Sequence, residues 1–144
     1  MIAKFFSVSV MALSIGLGLT PAHAGGSTVN IEQYGWGNGA GGSQRGYHNR
    51  MTVYQDGRRN AVISNQYGSR NRAVIGQNGS RNSADTYQRG NRNIVGVGQF
   101  GSGHSVITTQ DGSGNAVGVI QGGRNNRATT TQVGAGNVSV IVQD

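Results

Sequence analysis

The 144-residue chain contains no cysteine, one proline and only five acidic residues. Without cysteine there is no disulfide framework, no thiolate metal site and no cysteine nucleophile. The five acids are scattered singly, so no carboxylate pair is available for acid and base chemistry, and the Asp-rich nonapeptide of calcium-dependent solenoids is absent. Hydrophobic residues make up only 35%, with a disproportionate share in the first 24 positions. A core of large apolar side chains is therefore not expected. Of the three histidines, one leaves with that opening stretch, His48 falls in a turn and His104 occupies a repeat position, so each reads as structural rather than as a ligand. The composition points away from an enzyme, and no metal or cofactor is implied.

Residues 1–24 read as a signal peptide. Lys4 supplies the positive start, Phe5 to Leu19 the apolar stretch, and Ala22-His23-Ala24 the small-x-small cleavage pattern, placing the mature start at Gly25. The apolar run is shorter than the roughly 20 residues of a spanning helix, and nothing later resembles one. Every leucine, the one lysine and Pro21 lie before Gly25, leaving eleven arginines against five acids and a net charge of +6. Gly, Asn, Gln, Ser, Thr, Val and Arg dominate what remains. Taken alone, that mixture suggests disorder, but its order excludes it.

All eleven glutamines fall on one arithmetic series without insertion or deletion: Gln33, Gln44, Gln55, Gln66, Gln77, Gln88, Gln99, Gln110, Gln121, Gln132 and Gln143. Two residues after each of the first ten stands a glycine: Gly35, Gly46, Gly57, Gly68, Gly79, Gly90, Gly101, Gly112, Gly123 and Gly134. Five residues after stands an asparagine: Asn38, Asn49, Asn60, Asn71, Asn82, Asn93, Asn115, Asn126 and Asn137, with His104 the one replacement. The unit is Gln-x-Gly-x-x-Asn-x-φ-x-φ-x, where φ is small or β-branched. A fixed period of this kind is the mark of a repeat architecture.

From Asn to the next Gln the marked positions alternate, as in Asn93-Val95-Val97-Gln99, which is a strand with one buried face. The intervening x-Gly-x-x reads as a turn in which glycine supplies φ > 0. Eleven is also a helical period, but a fixed glycine in every unit and abundant Val, Ile and Thr argue against helix. The charged and aromatic residues avoid the marked positions, so the inward face is narrow, dry and made of Asn, Gln and small apolar residues.

Two units make a 22-residue loop with two facing strands. Stacked at about 4.8 Å, such loops place Gln over Gln and Asn over Asn in amide ladders, whose members satisfy one another's donors and acceptors. Ser27-x-Val29-x-Ile31-x-Gln33 adds a strand before the first Asn, for eleven strands in all. The expected fold is all-β: a cross-β solenoid of about five loops, Ser27 to Gln132, in two facing parallel sheets, plus an extra strand from Asn137 to Gln143. Gly39-Ala40-Gly41-Gly42 makes the first loop poor in buried area. With repeats running from Ser27 to Gln143, the ends are expected to lack caps. An uncapped repeat with complementary ends builds an open head-to-tail filament.

These landmarks carry a family resemblance. The segment Ser27 to Gln44, with Gln33, Gly35, Gly37, Asn38 and Ala40 between, is similar to the curlin repeat, Ser-x5-Gln-x-Gly-x-Gly-Asn-x-Ala-x3-Gln, of bacterial curli fibre subunits. The resemblance covers essentially all of residues 25–144. It implies a secreted functional amyloid of the biofilm matrix, a pilus-like surface fibre involved in adhesion. It also implies a nucleating partner subunit, and export through the periplasm and an outer-membrane pore with accessory proteins. Carried onto this chain, its ladder positions are the Gln and Asn series above. Uniform repeats suit a bulk subunit, while basic charge suits a minor nucleator.

The Arg-rich turns admit two readings: contact with polyanions such as DNA or acidic polysaccharide, or gatekeeping against premature stacking. A soluble solenoid that binds glycans or nucleic acid is the alternative to a fibre subunit.

Overall fold

The computed structural model describes residues 25–144. The expected signal peptide, residues 1–24, lies outside them. The described chain is eleven strands joined by tight corners: β1 (Thr28–Trp36), β2 (Gly39–Tyr47), β3 (Arg50–Arg58), β4 (Ala61–Ser69), β5 (Arg72–Ser80), β6 (Ser83–Asn91), β7 (Ile94–Ser102), β8 (Ser105–Ser113), β9 (Ala116–Arg124), β10 (Arg127–Ala135) and β11 (Val138–Gln143). Odd strands form one six-stranded sheet and even strands a facing five-stranded sheet. Every pairing is parallel with residue i beside i+22, as in Gln55 beside Gln77 and Gln66 beside Gln88. The expected solenoid of about five 22-residue loops in two parallel sheets is the fold observed.

The alternation of the repeat explains the layering. Met51, Val53, Ile75, Val95, Val97, Val117 and Val119 of the odd sheet meet Val62, Ala84, Val106 and Ala128 of the even sheet in one core. The sheets differ at the second inward position. In the odd sheet it is aliphatic, but in the even sheet Ser64, Thr86, Thr108 and Thr130 form a buried hydroxyl row. Thr86 donates to Ser64 Oγ at 2.7 Å, while the hydroxyls of Thr108 and Thr130 meet no partner among the described residues. The sequence reading did not anticipate this row, because Ser and Thr are ambiguous between an outward and an inward position.

Strand and turn lengths need correction. A seven-residue strand and a four-residue turn were expected, but β1 to β10 each run nine residues and the corners have two. The ten glycines expected in turns lie inside the strands, second from the end; Gly79 of β5 has φ 119°. A Cβ at Gly79 would overlap the carbonyl oxygen of Gly101 one rung away. Glycine here bends the strand and lets successive backbones approach. Arg45, Arg58, Arg89 and Arg124 likewise belong to strand ends rather than turns.

The true corner is the residue before each ladder Asn. It is left-handed throughout, whether glycine, as at Gly114 with φ 66°, or not, as at Arg59 with φ 56°. Each corner is bonded to its neighbouring rung: the Arg81 N–H donates to the Arg58 carbonyl at 3.1 Å, and the Ala61 N–H to the Asn82 carbonyl at 2.8 Å.

Candidate functional site: the amide ladders and the sheet edges

Glutamine stands at the end of the inward alternation in every unit, so the 22-residue register stacks its amides directly. In the odd sheet Gln33 donates from Nε2 to Gln55 Oε1 at 2.6 Å, Gln55 to Gln77 and Gln77 to Gln99 at 2.8 Å, Gln99 to Gln121 at 3.1 Å and Gln121 to Gln143 at 2.8 Å. In the even sheet Gln44, Gln66, Gln88 and Gln110 each donate to the Gln 22 residues on, ending at Gln132, over 2.6 to 2.9 Å. The second Nε2 hydrogen crosses to the facing sheet, as from Gln77 to the Ala61 carbonyl at 3.0 Å. A central glutamine therefore makes three side-chain bonds, which allows a polar amide to be buried without an unmet donor.

The asparagines stack in register but differ from the expected amide-to-amide ladder. Each Oδ1 accepts the backbone N–H of the next Asn, as from Asn71 to Asn49 at 3.0 Å and from Asn93 to Asn71 at 3.0 Å. Most of the amide nitrogens turn to main chain: Asn71 Nδ2 reaches the Tyr67 carbonyl at 3.2 Å and the Gly90 carbonyl at 2.8 Å. The shorter Asn side chain sits at the corner, beside carbonyls that the left-handed residue leaves free, and these outcompete a distant amide. Amide-to-amide bonds occur only late in the stack, from Asn115 to Asn93 at 3.2 Å and from Asn137 to Asn115 at 3.1 Å. Ser27 fills the corner position in the first rung, accepting the Asn49 N–H at 3.1 Å. His104 does so in the middle: Nδ1 accepts from the Asn126 N–H at 3.2 Å, which leaves Nε2 to donate to the Phe100 carbonyl at 3.2 Å.

Along the sheets the ladder has a direction. Every Gln-to-Gln bond is donated toward higher residue numbers. Among the described residues no donor reaches the Oε1 of Gln33 or Gln44, while Gln132 and Gln143 each use one Nε2 hydrogen, on the carbonyls of Ala116 and Arg127 at 3.1 and 3.2 Å. The edge at β1 and β2 thus presents acceptors, and the edge at β10 and β11 presents donors. Among the described residues no further strand pairs with either edge.

Two adjoining stretches, residues 48–79 and 79–112, match the curlin associated repeat. This chain carries the curlin associated repeat. The matched stretches span β3 to β8, where the Gln and Asn columns are buried. The curlin repeat and the β-solenoid together support a fibre subunit of the curli type, a structural family rather than a catalytic one. No curated protein matches the chain. Among the described residues no group of three or more His, Asp or Glu side chains could hold a metal ion, and no helix is long and apolar enough to cross a membrane.

Proposed function

We propose that this curlin-repeat chain is the bulk subunit of an extracellular fibre of the biofilm matrix, polymerising head to tail by continuing both of its sheets. The observation that carries this is the polarity of the glutamine ladder. The acceptor ends, Gln33 and Gln44, complement the donor ends, Gln132 and Gln143, of a second copy. Joining equal ends would set acceptor against acceptor or donor against donor, so only the head-to-tail contact extends the stack. Such a heterologous contact does not close and so grows a filament.

In this reading residues 1–24 direct export to the periplasm, an outer-membrane pore with accessory proteins completes secretion, and a separate nucleating subunit offers the first edge. The fibre serves adhesion and surface attachment. Regular units from β3 to β9 support a bulk role, because each rung offers the same template to the next.

Electron microscopy and fibre diffraction of the aged protein beginning at Gly25 test the proposal. The expected outcome is unbranched fibres with a meridional reflection near 4.8 Å. A stable monomer after prolonged incubation would overturn it. A seeding assay separates the two subunit roles: a bulk subunit assembles fully when seeded at a trace level by its own fibres.

A further inference from the structure

The corner before each ladder Asn offers an internal comparison. Gly26, Gly37, Gly103, Gly114 and Gly136 occupy it at no steric cost, whereas His48, Asn125 and the four arginines Arg59, Arg70, Arg81 and Arg92 hold the same left-handed backbone with φ 56 to 59°. Left-handed backbone is unfavourable for any residue with a Cβ. Four arginines thus stand where the same fold uses glycine, so their side chains have a role that the corner itself does not require.

The arginines split between two rims. Arg70 and Arg92 stack on one, beside Ser69 and Asn91. Arg59 and Arg81 stack on the other, beside Arg58 and Ser80, with Trp36 on the rung before. On this second rim the neighbours build a concavity: Trp36, Arg58, Arg59, Ser80 and Arg81 line a cleft of about 300 Å³. The Arg59 guanidinium lies 4.8 Å from the Trp36 ring centroid, which fixes its direction by cation–π attraction. Three guanidinium-bearing side chains line the cleft and no carboxylate does.

A second hollow adjoins it and shares Trp36, Arg58 and Ser80. Its floor is the glycine column Gly35, Gly57 and Gly79, and its lining is largely apolar.

The two hollows ask for different parts of one ligand. Three arginines suit a tetrahedral ester anion, whose three terminal oxygens can each accept from a guanidinium, better than a carboxylate, which offers only two oxygens. The flat glycine floor beside an exposed indole suits the face of a small ring. We propose that this rim is a binding site for a sugar bearing a phosphate or sulfate group, the anion held by Arg58, Arg59 and Arg81 and the sugar ring lying over Gly57 against Trp36. The site is complete within one chain and stands independently of fibre formation. If subunits stack as proposed above, it recurs once per subunit, and weak single contacts multiply by avidity.

Trp36 is the one tryptophan of the chain, so its fluorescence reports on the site. Titrating the protein, both freshly purified and as sedimented fibres, with glucose 1-phosphate or glucose 6-sulfate is expected to give a saturable emission change. Inorganic phosphate is expected to bind severalfold more weakly, and glucose to give no change. The Arg59→Gly/Arg81→Gly double variant keeps the corner backbone, as circular dichroism should verify, and loses the response. Arg70→Gly/Arg92→Gly removes the same charge from the opposite rim and retains it.

Equal loss in both double variants, or a response that follows ionic strength without saturating, would overturn the site in favour of diffuse charge. Tighter binding of an oligothymidylate than of either sugar ester, insensitive to Trp36→Leu, would overturn it in favour of nucleic acid. Binding by fresh protein with no fibres formed would sink the polymer proposal and leave this site standing. Fibres without binding would do the reverse.

Discussion

The middle of the solenoid and its two ends obey the same repeat and are not equally finished. From β3 to β9 the glutamines and the inward aliphatics are buried almost completely. In β1, Val29 and Ile31 occupy the same inward positions yet remain 54% and 41% exposed, because β2 opposes them with Ala40 and Gly42. At the other end Gln143 and Ile141 are only half covered. Position in the stack, together with the size of the facing residues, decides how much each unit contributes. A rung becomes stable when both neighbours are present, which is the nearest-neighbour energetics of solenoids. The ends therefore gain most from a second copy.

The largest expected contrast is between Gly79→Ala and Gly134→Ala. At Gly79 a methyl group meets the Gly101 carbonyl in addition to left-handed strain, and a loss of about 4 kcal/mol is expected in denaturant unfolding. At Gly134, φ is 104° but nothing lies against the new methyl except Asn137 Nδ2 at 3.8 Å. The unassembled chain should lose only about 1 to 2 kcal/mol, while fibre elongation stops because the next rung cannot approach. Equal losses in the two variants would erase the distinction between middle and end.

Next comes Gln77→Ala against Gln143→Ala. The first strands three buried partners, the amide of Gln55, the oxygen of Gln99 and the Ala61 carbonyl, and leaves a cavity, for a loss of about 2 to 3 kcal/mol. The second removes the half-covered last amide and should cost under about 1 kcal/mol in the monomer, with a slower elongation rate by light scattering. A Gln143→Ala chain that elongates normally would remove the donor edge from the assembly contact.

Within the middle, Thr108→Val should raise stability by about 1 kcal/mol, since the hydroxyl it removes is buried without a partner. Thr86→Val, which breaks the 2.7 Å bond to Ser64, should not. Their order in thermal unfolding checks the reading of the hydroxyl row. The smallest effect is expected from His104→Asn. Asn93 and Asn115 reach the Gly112 and Gly134 carbonyls at 3.0 and 2.9 Å, a bond the imidazole does not make to Gly123. Restoring it should gain at most about 1 kcal/mol, visible as increased amide protection around Gly123.

Much of this was legible in the residues because the period is unbroken. An invariant spacing of eleven leaves one parallel register that keeps every Gln over another Gln, and alternation between Asn and Gln names the inward side. Charged corners could be placed outside for the same reason. The corner itself was misjudged: glycine two residues after Gln has the composition of a turn, but its reason is close backbone approach between rungs. The role of Asn was also not legible, since its side chain chooses between amide and main-chain partners by distances that spacing does not reveal. Nor could the rim cleft be read, because Trp36, Arg59 and Arg81 come together only across three rungs.

The sequence by itself determined the repeat length, the parallel register, the two-sheet solenoid and the membership of the Gln and Asn columns. Each follows from strand periodicity and from the need to pair buried amides. Only the tertiary structure decided the direction of the glutamine ladder, the backbone-bound asparagines, the buried hydroxyl row and the unequal burial of middle and ends. The reason is physical: a period specifies which residues stack, while hydrogen-bond direction and burial depend on what each rung has on either side.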